Sequence, residues 1–103
     1  MAVLEKEFDS AMLSIHQRAK VELGYNATIF FRMLCNQGGL LTARQLINSP
    51  KPSEGYTRLF ESNRLDLTVE AVVVENMKWH VLFSEEELRR AKKRLADYGY
   101  RPS

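Results

Sequence analysis

The segment from Ser84 to Gly99 constrains the fold of this chain more than any other. Ser84 precedes three glutamates, arginines and lysines follow them, and Gly99 ends the run. A serine before an acidic first turn, late basic residues and a closing glycine are typical of a capped α-helix. The segment therefore predicts a C-terminal helix, and it contains no combination of residues that is typical of a reaction.

The first half of the chain also has helical spacing. Apolar residues recur every three or four positions over residues 4–23, and Gly24 follows where a helix commonly ends in a left-handed residue. Asn26 is predicted to cap a second helix, which the Gly38–Gly39 pair ends. Residues 29–35 are apolar on almost every side, so this second helix is expected at the centre of the fold.

The second half predicts further short helices. Residues 40–47 read as a third helix, and Ser53 is positioned to cap a fourth after a proline-containing loop. Residues 65–75 alternate like a strand but also fit a helical face. Helix is favoured, because a lone strand would have no partner and Thr68 with Glu70 gives a capped start.

Length and composition predict an all-α protein, a compact bundle of five or six helices in a single domain over residues 1–103. A chain of 103 residues with 45% hydrophobic residues has room for one modest core. Acidic residues interrupt the apolar stretches near the N-terminus, which argues against a signal peptide and a membrane span. Cys35 is the only cysteine, and the apolar run before it predicts a buried thiol in a reducing, cytoplasmic compartment.

Five aromatic side chains with polar groups are the basis of the first functional hypothesis. They are Tyr25, Tyr56, Trp79, Tyr98 and Tyr100. So small a core does not readily enclose them all, and such side chains are enriched among the residues that dominate protein interfaces. Those left exposed would favour a non-enzymatic protein-interaction or self-associating module, with a protein partner or a homo-oligomer.

A basic cluster supports an alternative function, a nucleic-acid-binding accessory protein that uses the C-terminal helix. The residues that would contact phosphates are Arg44, Arg89, Arg90, Lys93 and Arg94. The same pattern is typical of a solvated helix, because Glu85 and Glu86 each stand four residues before an arginine, which is the favoured orientation for helical ion pairs. The solvated face is the preferred interpretation.

A catalytic or metal site has the least support. The residues available for one are His16, Cys35, Glu61, Asp66 and His80. Neither histidine has a second ligand at a suitable spacing, whereas zinc sites take about three or four protein ligands. We therefore expect no catalytic residues, no metal and no cofactor.

Three stretches of the sequence carry a resemblance to known proteins. They are residues 55–61, residues 64–70 and Trp79 with residues 82–88, preceded by Gly24-Tyr25 and the Gly38–Gly39 pair. In these stretches the chain resembles a group of short, uncharacterised bacterial proteins, over roughly residues 18–97. The resemblance implies a compact, mainly helical bacterial protein of a kind sometimes carried on mobile elements. It implies no activity and no functional residues.

Overall fold

A computed structural model describes residues 2–100, with the backbone alone at Ala2; Met1 and residues 101–103 of the expected domain lie outside the described residues. The α-helices are α1 (Ala2–Leu23), α2 (Thr28–Asn48), α3 (Glu54–Glu61), α4 (Val69–Glu75) and α5 (Glu85–Asp97). Two 3₁₀ helices, Leu65–Leu67 and Met77–Leu82, lie on either side of α4. The all-α prediction is confirmed, and residues 65–75 are helical. None of the helices in this part of the chain has both the length and the apolar character that crossing a membrane requires.

Local capping explains where three of the helices begin. The hydroxyl groups of Ser53, Thr68 and Ser84 each accept a hydrogen bond from the backbone N–H three residues later, as predicted. The Glu87 carboxylate accepts a hydrogen bond from the backbone N–H of Ser84, which completes a capping box at α5. The predicted cap at Asn26 is wrong, because α2 begins without any side-chain cap.

A glycine allows α1 and α2 to approach closely. Gly38 has φ 83° and ψ 171° and interrupts α2 where the sequence predicts a helix end. The next N–H, of Gly39, donates to Asp9 Oδ1 at 2.6 Å. A Cβ at Gly39 would stand 3.1 Å from the Cα of Asp9 and 3.1 Å from Met12 Cγ, so only glycine fits without displacement. The two helices run antiparallel. Asp9 contacts Gly39, and seven residues later in α1 His16 stacks on Phe31, which comes earlier in α2.

The core lies where α1 crosses the second half of α2. Phe8 and Met12 of α1 are fully buried, and the ring of Phe8 packs edge-on against Trp79 at 5.2 Å between centroids. The buried residues of α2 all lie at Gly39 or beyond. The first half of α2 is therefore peripheral, and the prediction that it occupies the centre is wrong. Cys35 is exposed for the same reason, which corrects the predicted buried thiol.

A largely buried arginine, with a side chain 12% exposed, joins four helices. Arg94 of α5 donates through Nη1 to Glu70 Oε2 of α4 and to the carbonyl of Leu46 at the end of α2, both at 3.0 Å. Its Nη2 donates to the carbonyl of Ser49, and its own carbonyl accepts from the Tyr56 hydroxyl of α3 at 3.1 Å. Glu70 is only 3% exposed, and its burial raises the pKa of its carboxyl group while Arg94 opposes that rise. Arg94 is thus a structural residue, and its intramolecular partners leave little of the guanidinium for the predicted contact with nucleic acid.

The Arg94→Met variant should lose about 3–5 kcal/mol of unfolding free energy, because it leaves the Glu70 carboxylate buried without its partner. The matched control is Lys93→Met on the same helix, which removes only the exposed pair with Asp97 and should cost less than about 1 kcal/mol. Urea denaturation followed by circular dichroism measures both. The double variant Glu70→Met/Arg94→Met should lose less than the sum of its single variants. Equal losses for Arg94→Met and Lys93→Met would contradict the structural role of Arg94.

Candidate functional site

A cavity of about 230 Å³ lies between α1, the first half of α2, α3 and α4. Its wall is mostly apolar, and the principal side chains are Ile15, Ala19, Phe30, Met33, Leu59 and Val69. The polar residues in the wall are His16, Tyr25, Asn26, Thr28, Ser53, Glu54, Tyr56, Thr68 and Glu70. A concave, largely apolar space with a few polar groups is the usual form of a small-molecule site.

His16 lines the cavity and has a buried nitrogen atom without a hydrogen-bond partner. Its side chain stacks on Phe31, with the ring centroids 4.9 Å apart and the planes 23° from parallel. The residue is 8% exposed, and its Nδ1 is buried without a hydrogen-bond partner. Burial, and then the positive charge of Lys20, lower the pKa of the imidazole, so it is neutral near pH 7. Phe31 covers one face of the ring.

Three other polar groups of the wall serve the fold. The Tyr56 hydroxyl donates to the carbonyl of Arg94, and burial raises the pKa of that hydroxyl. Thr68 Oγ1 donates to the carbonyl of Leu65 at 2.7 Å, and Glu70 pairs with Arg94. These three groups therefore already have hydrogen-bond or ionic partners within the protein.

The five predicted interface aromatics are largely used inside the protein. Tyr56 and Trp79 are buried and are therefore not available to a partner. The other three are partly buried: Tyr25 packs beneath the Arg58 guanidinium at 5.0 Å, Tyr98 lies edge-on to Phe60 at 4.9 Å, and Tyr100 donates to Glu75 at 2.8 Å. Edge-to-face packing and internal partners for the polar groups let a small domain enclose this many aromatic rings.

The predicted basic contacts are also engaged within the chain. Arg44 donates to the carbonyl of Leu82 at 2.9 Å and lies 3.7 Å from the Glu87 carboxylate. Arg89 pairs with Glu86 at 2.6 Å, and Arg90 donates to Asn48 at 2.8 Å. Lys93 pairs with Asp97 at 2.9 Å. With Arg94 buried, this face is a set of intramolecular pairs. It matches the solvated-helix interpretation of the sequence.

The residues considered for catalysis or metal binding do not come together. Asp66 forms an ion pair with Arg64 at 3.0 Å, which lowers the pKa of its carboxyl group, and Arg64 also binds Glu22 at 2.8 Å. His80 Nε2 bonds the carbonyl of Val74 at 3.2 Å, and Cys35 is exposed on α2. Within residues 2–100, His, Cys, Asp and Glu side chains form no group of three or more that could hold a metal ion.

An exposed apolar surface lies across α1 and the first half of α2. It consists of Leu13, Phe31 and Cys35, and we call it the α1–α2 surface. The antiparallel pairing of His16 with Phe31 and of Asp9 with Gly39 places Leu13 level with Cys35. Phe31 is 41% exposed although the other side of its ring covers His16. The all-round apolar pattern of residues 29–35 was the sequence signal for this surface, although it predicted the wrong location.

Stability should fall as the pH drops from 7.5 to 5.5, because of His16. The pKa of His16 is lowered in the fold, so below about pH 6.5 the unfolded chain takes up a proton that the folded state resists. The contribution is fully present above that pH and is lost on acidification. In urea denaturation at several pH values, His16→Leu should reduce the fall, and Lys20→Gln should reduce it by a smaller amount. An unchanged pH profile in His16→Leu would contradict a buried neutral imidazole.

The cavity and the α1–α2 surface are two features of the described residues that the fold itself does not require. His16, a residue of the cavity wall, has a buried nitrogen without a partner, and the surface leaves large apolar side chains uncovered. No protein-family model, no curated protein and no solved structure matches this chain.

Proposed function

We propose that this protein is a non-enzymatic interaction module that self-associates through the α1–α2 surface. The supporting observation is a helix that is apolar on nearly every side but buried on only one. A helix of this composition is normally covered all round. Here Leu13, Phe31 and Cys35 remain exposed, and covering such area gains about 25 cal/mol per Å².

The low charge of this region favours a second copy of the same chain as the partner. Arg32 is the only charged residue between Leu23 and Arg44, so the α2 side of the surface offers little to a partner selected by charge. Interface cores are depleted in charged residues. A two-fold axis would place the surface against itself, apolar on apolar.

The shape of the α1–α2 pair also suits this arrangement. α1 has 22 residues, α2 spans 21 residues with an interruption at Gly38, and the two pack antiparallel. Two such pairs brought face to face form a four-helix bundle, a common way to bury the outer side of a helical hairpin. The basic residues of α5 already have intramolecular partners, so no observation favours nucleic-acid binding as a second function.

Self-association should depend on Leu13. Light scattering coupled to size exclusion over a range of protein concentrations should give a dimer for the wild type. Leu13→Lys should give a monomer, because it places two like charges in the contact. Val81→Lys is the matched control, since Val81 is an exposed aliphatic residue of the second 3₁₀ helix, outside α1 and α2. Met77→Lys tests the exposed end of the second 3₁₀ helix in the same way.

The single cysteine gives an independent measurement of the same contact. Mild oxidation should link two wild-type chains through Cys35, and Cys35→Ser/Val81→Cys should link far less efficiently. A wild-type monomer at every concentration would overturn the proposal. A dimer that Met77→Lys dissociates and Leu13→Lys does not would also overturn it, because the contact would then lie elsewhere.

A further inference from the structure

We propose that the cavity binds the hydrocarbon chain of an uncharged, medium-chain amphiphile, such as a primary alcohol, whose polar end lies at the mouth of the cavity. The inference rests on the volume of the cavity, the aliphatic side chains at its inner end and the exposed polar residues at its mouth. It does not depend on self-association, because the α1–α2 surface lies on the outer side of the same helices.

The mouth of the cavity lies between the α1–α2 turn and the start of α3. Four residues of the wall are exposed, three in or beside this turn and one at the start of α3: Asn26, Thr28, Ile29 and Glu54. Tyr25 brings the two segments together, because a Cβ at Gly55 would stand 3.6 Å from the Tyr25 hydroxyl oxygen. The mouth is therefore mostly polar, and a polar group placed there stays in contact with water.

The inner end of the cavity is aliphatic. Its buried aliphatic side chains are Ile15, Ala19, Leu59, Leu67 and Val69. The buried polar groups of Tyr56, Thr68 and Glu70 have partners within the protein, and Nδ1 of His16 is covered by other atoms. The part of a ligand that enters this end therefore needs no hydrogen-bonding group, and a hydrocarbon chain meets that requirement.

The volume sets the length of the chain. The cavity has about 230 Å³, whereas an engineered apolar cavity of about 150 Å³ takes up benzene, which has six carbons. At the same volume per carbon, this cavity holds about nine carbons. Further methylene groups would extend past the mouth into water.

The inner end contains no unpaired charge. The Glu70 carboxylate, which lines the wall, pairs with Arg94 at 3.0 Å. Burial, and then the positive charge of Lys20, lower the pKa of the His16 imidazole, so this ring is also neutral near pH 7. An ionic group at the inner end would therefore lose its water without gaining a partner of opposite charge.

The mouth meets charges of both signs. Glu54 lines it, and the Arg58 guanidinium lies 5.0 Å from the centre of the Tyr25 ring. Burial, and then Glu54, raise the pKa of the Tyr25 hydroxyl, while Arg58 lowers it, so both charges act on the same group. A carboxylate at the mouth would face Glu54, and an ammonium group would face Arg58. An uncharged polar end avoids both repulsions.

A series of primary alcohols from 1-butanol to 1-dodecanol tests the length of the chain. Each is titrated at pH 7.5, below its solubility limit, into the full-length protein labelled with ¹⁵N, and the amide shifts are followed by NMR. We expect the affinity to rise about fourfold for each added methylene group and to stop rising at about nine carbons. The shifts should cluster at residues of the cavity wall, such as Ala19 and Leu59.

Ala19→Met tests whether the chain occupies the cavity. The substitution adds three heavy atoms to the wall, so the length at which the affinity stops rising should fall by about three carbons. Ala27→Phe, at a half-buried position of the wall, should shorten it as well and serves the same purpose if Ala19→Met does not fold. Val81→Lys is the control, because Val81 does not line the cavity, and it should leave the length unchanged.

Three compounds with the same chain test the charge of the polar end. They are 1-octanol, octylamine and octanoate, and we expect 1-octanol to bind most tightly. Tighter binding of either ionic compound would overturn the uncharged class.

Other results would overturn the site itself. Absence of binding by every alcohol would remove it. An affinity that keeps rising to 1-dodecanol, or a limiting length that stays the same in both folded wall variants, would place the chain elsewhere on the protein. Loss of binding in Leu13→Lys would place it on the α1–α2 surface, whereas unchanged binding by a monomeric Leu13→Lys would support the cavity site separately from self-association.

Discussion

The buried pair between Arg94 and Glu70 is the interaction on which the rest of this structure depends. An arginine and a carboxylate leave water at a high cost unless every donor and acceptor is satisfied, and here two backbone carbonyls and the carboxylate share the guanidinium. These bonds hold α4, α5 and the C-terminal end of α2 in fixed positions relative to one another. The Tyr56 hydroxyl, which donates to the carbonyl of Arg94, connects α3 to the same group. Since α3 and α4 form one side of the cavity, the same pair determines that the cavity exists.

The other side of the cavity follows from how α1 meets α2. At Gly39 the absence of a side chain lets the backbone of Asp9 approach, whereas nearer the turn between the helices the stacked rings of His16 and Phe31 lie between them. Close contact at one end and bulky rings at the other leave room beneath the first half of α2. Because the first half of α2 lies at the periphery, its inner face lines the cavity and its outer face is an exposed apolar surface.

Local features of this fold could be predicted from the sequence, and long-range features could not. The caps at Ser53, Thr68 and Ser84 and the helix end at Gly38 depend on neighbours within a few residues, and these were predicted. The partners of Arg94 lie between 24 and 48 residues away, so its charge pattern looked like that of a solvated helix. Composition predicted that residues 29–35 are apolar but not which side of the helix would be covered. The cavity and the unpartnered atom of His16 arise from packing among four helices, which no single segment encodes.

The contacts of Phe8 have a consequence for how the chain folds during synthesis. Its ring packs on Trp79 and Phe83, and Glu7 beside it pairs with Lys78, so α1 joins the core through residues made about seventy positions later. At translation rates of roughly 5–20 residues per second, the apolar side of α1 stays uncovered for several seconds before Trp79 and Phe83 are synthesised. α2 is synthesised earlier and is the first element that can pack against the apolar side of α1. The final core therefore closes only when most of the chain has left the ribosome.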